Sequence, residues 1–343
     1  MKHRTLKIAL LSLLLLFVLT VGGGYFLFLH PHFERQDSPS IIYIYPEDNY
    51  DTVSQKLKEF YPNSSFMGFK LLAKYGKYPK NIKTGMYVLE NSLTPIQLYR
   101  LLSRGYQTPV KLIVSSERLL GKTIKSMGNQ LMIDSMQIDS ILRDSISLEK
   151  IGFTEETLPA FFIPNTYEVY WNISPKELLE RLHREYQKFW NKKRIEQASK
   201  IGFSPIEIAV LASIVDEETN KNDEKPTIAG LYINRIQRGI PLQADPTIKF
   251  ALQNFEIRRI TNRDLEIESP YNTYLNLGLP PGPIRIPSIK GIDSVLYHEN
   301  HNYIYMCAKD DLSGYHNFAS TYSQHMQNAR KYWSALNRQK IFR

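Results

Sequence analysis

From Ile8 to Leu29 the chain reads IALLSLLLLFVLTVGGGYFLFL, without a single charge. About 20 helical residues at 1.5 Å each cover a hydrocarbon core of about 30 Å, so residues 8–29 are expected to form a membrane-spanning helix. Lys2, Arg4 and Lys7 precede this stretch and only the mixed charge of HPHFERQD follows it. The positive-inside rule therefore keeps residues 1–7 in the cytoplasm and exports the rest. The alternative is a cleaved signal peptide with Gly22 to Gly24 as its small-residue cleavage region. Against it, Tyr25 to Leu29 continue the apolar run, which is longer than the usual signal core of about 7–15 residues.

The exported remainder is long enough for two globular domains. A formal net charge of +9 admits nucleic acid, anionic lipid or an anionic polymer as partner. The basic residues are spread along the sequence, and no zinc-finger, RNA-recognition or P-loop signature accompanies them, so nucleic acid is not expected. The single cysteine, Cys307, rules out an internal disulfide and a thiolate metal cluster within the chain. It alternates with Tyr303 and Tyr305 in NYIYMCAKD, which reads as a buried strand position. The 22 tyrosines suit sugar faces but suit ordinary sheets as well.

After a polar linker near Gln36 to Ser40, the strand-like IIYIYP leads through two short helical patterns, VSQKLKEF and FKLLAKYG, to the strand-like TGMYVLE. Thr94 as N-cap and Pro95 as first helical residue open LTPIQLYRLLSRG, which Gly105 closes, and PVKLIVS is a further strand candidate. Residues 40–115 thus form a small α/β unit. From residue 116 to 343 the pattern is longer-period and more helical. Ser174, Pro175 and Glu177 spell a capping box, as do Ser204, Pro205 and Glu207. Gly239 ends PTIAGLYINRIQRG, and Asp245 with Pro246 opens another helix. Strand-like NYIYMCAKD and a terminal helix, STYSQHMQNARKYWSALN, complete a larger α+β domain.

The chemistry is expected in SPIEIAVLASIVDEET. At 100° per residue with Leu211 at zero, Ile208, Ile214 and Val215 fall within about 60° of it and Glu218 lies at about −20°. Asp216 and Glu217 fall at about +140° and −120°, on the faces that a helix packed by one side turns to water. Glu218 alone is expected to point inward. Apolar surroundings and the negative end of the helix penalise its charged form, so its pKa should rise, as a general acid requires. The alternative is a last-turn residue frayed outward or paired with Arg235 or Arg238. Asp245, immediately before Pro246, reads as an N-cap. His298 and His301 in HENH could share a helical face, but no third ligand is evident and no metal or other cofactor is expected.

Four blocks in order, ASIVDEET (212–219), INRIQRGIPLQADPT (233–247), YNTYLNLGLPPGPI (271–284) and GYHNFAS (314–320), make the chain resemble the endolytic murein transglycosylases, a bacterial family with a YceG-like catalytic domain. Family members typically read ASI, an aliphatic residue, then EKET, and the second glutamate is catalytic. That position is Glu218 here, while Asp216 and Glu217 depart from the pattern.

The resemblance implies a single membrane helix, a small LysM-like subdomain over 40–115 and a YceG-like catalytic domain over 116–343. It also implies cleavage of the MurNAc–GlcNAc bond of peptidoglycan glycan strands without water, leaving 1,6-anhydro-MurNAc ends and setting strand length during wall elongation. Gln243, Asp245, Tyr271, Asn272, Thr273, Tyr274, His316 and Asn317 are the implied substrate-binding residues. The implied location is the inner (cytoplasmic) membrane with the catalytic domain on the outer, periplasmic side, close to peptidoglycan synthases as partners. A non-catalytic wall-binding scaffold and a two-carboxylate glycoside hydrolase are the alternatives.

Overall fold

A computed structural model of the chain describes residues 2–34, 40–257 and 259–338; the expected linker, apart from Ser40, lies outside them. Helix α1 (Lys2–Phe28) contains the apolar run apart from Leu29, and its segment Arg4–Phe28 is long and apolar enough to cross a membrane. The described residues fall into two units. The first takes in residues up to Lys111 together with Glu168–Ile173, and the second takes in Leu112–Tyr167 and everything from Ser174.

In the first unit, β1 (Phe33–Glu34) pairs antiparallel with β4 (Ser92–Leu93), and β2 (Ser40–Ile44) pairs with β3 (Gly85–Leu89). The period of two in SIIYI buries Ile42 and Ile44 and leaves Ile41 and Tyr43 facing out. Helices α2 (Tyr50–Phe60), α3 (Met67–Tyr75) and α4 (Pro95–Ser103) bury Val53, Leu57, Phe69, Leu98 and Leu102 in the same core. The start of α4 is as the sequence spells it. Thr94 Oγ1 accepts from the Gln97 N–H while the Gln97 side chain accepts from the Thr94 N–H, and Gly105 beyond the end has a positive φ of 68°.

The second unit holds β5 (Val110–Val114) from Leu112 onward, followed by α5 (Leu120–Gly128), α6 (Ser135–Arg143) and α7 (Ser145–Ile151). After β6 (Asn165–Val169) come α8 (Pro175–Phe189), α9 (Lys192–Ile201), α10 (Pro205–Glu218), α11 (Lys225–Gln237), α12 (Asp245–Ala251) and α13 (Ile289–Leu296). An antiparallel hairpin of β7 (Tyr305–Ala308) with β8 (His316–Ala319) follows, and then α14 (Tyr322–Arg338). Both capping boxes form, on Ser174 and on Ser204. The centre of the unit is α10, which α9, α11, α12 and α13 all pack against.

That surrounding corrects the expectation for α10. Every residue from Ile208 to Asp216 is buried, so the helix has no water-facing side. Asp216 is only 5% exposed. Its Oδ1 accepts from Lys225 Nζ at 2.7 Å and from Ser288 Oγ at 2.9 Å, and its Oδ2 accepts from the Ser288 N–H at 2.6 Å. A Cβ at residue 291 would lie 2.6 Å from both carboxylate oxygens, so glycine is required there. Glu217 is gripped by two arginines: Arg118 Nη2 donates to Oε2 at 2.5 Å and Arg285 Nη1 to Oε1 at 3.0 Å. One-sided helical geometry presumes a helix that packs on one side only.

Candidate active site

Glu218 is the last residue of α10, and its side chain meets α11. Tyr232 Oη donates to Glu218 Oε1 at 2.5 Å, while Oε2 has no hydrogen-bond partner among the described residues. The expected alternative, an ion pair with Arg235 or Arg238, is not formed. Arg235 instead donates from Nε to the Pro241 carbonyl at 2.8 Å, from Nη1 to the Ile304 carbonyl at 2.8 Å and from Nη2 to Gln243 Oε1 at 2.6 Å.

Glu218 opens onto a cleft of about 340 Å³ whose polar lining includes Tyr232, Arg235, Gln243, Asp245, Tyr274 and His316. Burial raises the Glu218 pKa to about 7, opposed by the Tyr232 hydrogen bond and reinforced by the charges of Asp245 and Glu217. A carboxyl that titrates near neutrality can give a proton and take one back. Burial holds the Tyr232 phenol well above its ordinary value, so it stays a donor. Burial also lowers the Arg235 guanidinium, which still remains a cation.

The cleft gathers four of the eight implied substrate residues. Gln243 sits at a left-handed φ of 53°, unusual for a residue with a Cβ, and its N–H donates to the Thr273 carbonyl at 3.0 Å. Asp245 corrects its N-cap reading. It is the first residue inside α12, Ala244 precedes it, and its Oδ1 accepts from Tyr274 Oη at 2.5 Å. His316 stands on β8. Its N–H donates to Glu224 Oε1 at 2.7 Å and its Nδ1 lies 2.9 Å from Oε2, which leaves Nε2 without a hydrogen-bond partner among the described residues.

The other four do not line the cleft. Asn272 is fully buried. Its amide donates to the carbonyls of Leu265 and Ile267 and its oxygen accepts from the Tyr274 N–H at 2.9 Å. Thr273 Oγ1 accepts from the Ala244 N–H at 3.0 Å and lies 2.8 Å from Thr247 Oγ1. Both side chains therefore brace the loop that carries Tyr274 and have nothing left for a sugar, contrary to expectation. The Tyr271 ring lies 4.7 Å from that of Phe250, and Asn317 pairs in register with Cys307. Cys307 is a strand residue as expected but half-buried, and it lines the cleft with its thiol pushed up by burial.

Tyr232 and Glu224 are the cleft-building residues that pattern alone leaves out. Tyr232 and Arg235 are three apart in GLYINRI, a spacing that puts them on one helical face and was legible. Glu224 had no such signal. His298 and His301 lie beyond α13, not on a helical face, and their ring nitrogens face the carbonyls of Val295 and Thr227.

The chain is 35% identical to an endolytic murein transglycosylase of Bacillus subtilis (strain 168) over 130 residues, which are 38% of this chain and 35% of that protein. It is 25% identical to one of Streptococcus pneumoniae serotype 2 (strain D39 / NCTC 7466) over 294 residues, 77% of this chain and 53% of that protein. The chain thus spans between about a third and about half of the length of these relatives. A 2.6 Å crystal structure of a yceG-like protein from Listeria monocytogenes shares the fold, with a TM-score of 0.55 at 23% identity over 84% of this chain and 98% of that one. The YceG-like family profile matches residues 42–331, and the chain belongs to that family.

Proposed function

We propose that the chain is a membrane-anchored lytic transglycosylase that cuts peptidoglycan glycan strands at the MurNAc–GlcNAc bond, with Glu218 as its one acid/base. The observation that carries this reading is the state of Glu218: half-buried, bonded at one oxygen by Tyr232, open at the other, and raised to a pKa of about 7. The carboxylic acid gives its proton to the glycosidic oxygen as the C1–O bond breaks, and the GlcNAc fragment leaves with a free hydroxyl. The resulting carboxylate takes the proton of the muramic acid's own 6-hydroxyl while that oxygen bonds to C1. The 1,6-anhydro ring closes, Glu218 is protonated again and no water is consumed.

Gln243, Asp245, Tyr274 and His316 are proposed to contact the glycan. Tyr271, Asn272, Thr273 and Asn317 act on it through the loop and hairpin they belong to. The apolar helix is proposed to cross the cytoplasmic membrane with its N-terminus inside, which confines cleavage to strands near the membrane, beside their synthases. The first unit is proposed to be LysM-like and to hold glycan. The names of the curated relatives support the reaction class.

One observation favours a second reading. Asp245 shares the cleft with Glu218, and a pair of carboxylates is what a glycoside hydrolase uses. Mass spectrometry of fragments released from purified peptidoglycan by the full chain in detergent separates the two. Anhydro ends from wild type but none from Glu218→Gln are expected. Reducing muramic ends would favour the hydrolase, and intact strands under all conditions would favour a wall-binding scaffold.

A further inference from the structure

Acidic residues are scarce in one stretch that lies mostly in the first unit. From Phe60 to Ser116 there are eight basic residues and a single acid, Glu90. Lys70 and Lys74 stand one turn apart on α3, and Lys77 and Lys80 follow it. The four lysines line one shallow cavity of about 420 Å³ together with Tyr50 and Pro79. None of the four has a carboxylate within ion-pair distance among the described residues. Like charges this close repel, and an anion seated among them relieves the repulsion.

What α3 touches identifies the anion. Helices α3 and α4 both pack on α1. The carbonyl of Leu27, next to the last residue of α1, is so close to Gly68 that a Cβ there would meet it at 2.1 Å. Helix α3 therefore starts at the end of the apolar helix. Along α3, Lys70 and Lys74 lie about 3 and about 9 Å from that contact. That is within the screening length of about 8–10 Å over which a charged surface is felt. Met67 and Tyr75, which begin and end α3, are 65% and 81% exposed. An exposed apolar side chain, an exposed amphipathic ring and unpaired lysines are the composition that settles at a headgroup layer.

We propose that this face is a docking surface for the phosphate-bearing headgroups of anionic lipids, and that it holds the first unit down on the bilayer its own helix enters. The inference rests on the proposed anchoring of α1. It is tested on the full chain in nanodiscs, with Cys307→Ser and Tyr75→Cys introduced and a fluorophore on residue 75. The readout is quenching by a lipid that is spin-labelled at its headgroup, in neutral discs and in discs containing phosphatidylglycerol.

Quenching should rise roughly twofold or more with the anionic lipid, and fall back in 0.5 M salt, as screened attraction requires. Replacing Lys70, Lys74, Lys77 and Lys80 with glutamine should abolish the dependence on anionic lipid while the chain still incorporates. Equal quenching in neutral and anionic discs overturns the proposal, as does quenching that survives the four replacements. Loss of quenching on adding a soluble glycerol-phosphate polymer overturns it in favour of an anionic wall polymer. Failure to incorporate into discs overturns the anchoring itself, and with it this surface. Incorporation without quenching overturns the surface alone.

Discussion

Tyr232 Oη donates to Glu218 Oε1 at 2.5 Å, joining the middle of α11 to the last residue of α10. The bond opposes burial: burial lifts the carboxyl to about 7 and the phenol holds it down. Tyr232→Phe should therefore raise the Glu218 pKa. In the proposed mechanism the protonated form is the acid, so the alkaline fall in kcat/KM, expected near pH 7 in the wild type, should move to higher pH. Turnover at the optimum should drop by about tenfold as the carboxyl loses its orientation. A pH–rate profile decides this, and an unmoved alkaline limb would mean that another group titrates.

The raised pKa also has a cost in stability. Glu218 has a folded value of about 7 against an ordinary value of 4.5. Below pH 4.5 the group is neutral in both states and costs nothing. As pH rises to about 7 the unfolded chain gains an ionised carboxylate that the folded chain resists, and above 7 the penalty is constant. Glu218→Gln removes it. The variant should match the wild type in acid and be more stable by up to about 3 kcal/mol above pH 7. Denaturant titrations at pH 4 and pH 8 check this; a variant no more stable at pH 8 contradicts it.

Asp216 makes the opposite case, a buried charge that is fully compensated. Asp216→Ala leaves Lys225 with its charge buried and the Ser288 N–H without its acceptor. The loss should be about 3–5 kcal/mol. Adding Lys225→Met should recover part of it, which two single variants and the double variant measure by urea unfolding. An additive double mutant would show that the pair is not coupled.

Local grammar was legible in the sequence, and three-dimensional surroundings were not. Ser174, Thr94 and Ser204 are N-caps because capping is settled within four residues, and the text of the chain contains all four. The placement of Glu218 in a cleft was legible from its position on α10. Asp216 and Glu217 were misread because their partners, Lys225 on the next helix and Ser288, Arg118 and Arg285 from distant segments, are announced by no periodicity. Asn272 was misread for the same reason: an amide in a Tyr-rich loop could face a sugar or the loop's own carbonyls, and only the fold chooses.

Glu217 tests whether the two arginines are needed to hold the end of α10. Arg118 is 42% exposed at its side chain and Arg285 20%, so the cluster is partly screened. Glu217→Lys would place three cations together and should cost about 1–3 kcal/mol. Arg118→Glu added to it should restore part of the loss. Thermal unfolding of the two variants beside wild type decides, and a Glu217→Lys protein as stable as wild type would show that the arginine grip is dispensable.

Asp245 separates the two proposed chemistries. It shares the cleft with Glu218 and its charge helps raise the Glu218 pKa, but its Oδ1 is taken by Tyr274. If Glu218 works alone, Asp245→Asn removes a neighbouring negative charge, lowers the Glu218 pKa and moves the alkaline limb to lower pH. Turnover at the new optimum should fall by no more than about 10–100-fold, as for a residue that orients a reactant. Glu218→Gln, which removes the proposed acid/base, should cost about 100–10,000-fold. If Asp245 were a nucleophile or base, its loss would match that of Glu218, and azide would restore turnover to Asp245→Ala, whose small side chain leaves the carboxylate position open. Anhydro-product formation by Asp245→Asn across pH, and by Asp245→Ala with and without azide, distinguishes these results, because only the single-carboxylate mechanism predicts a shifted profile, surviving anhydro ends and no rescue together.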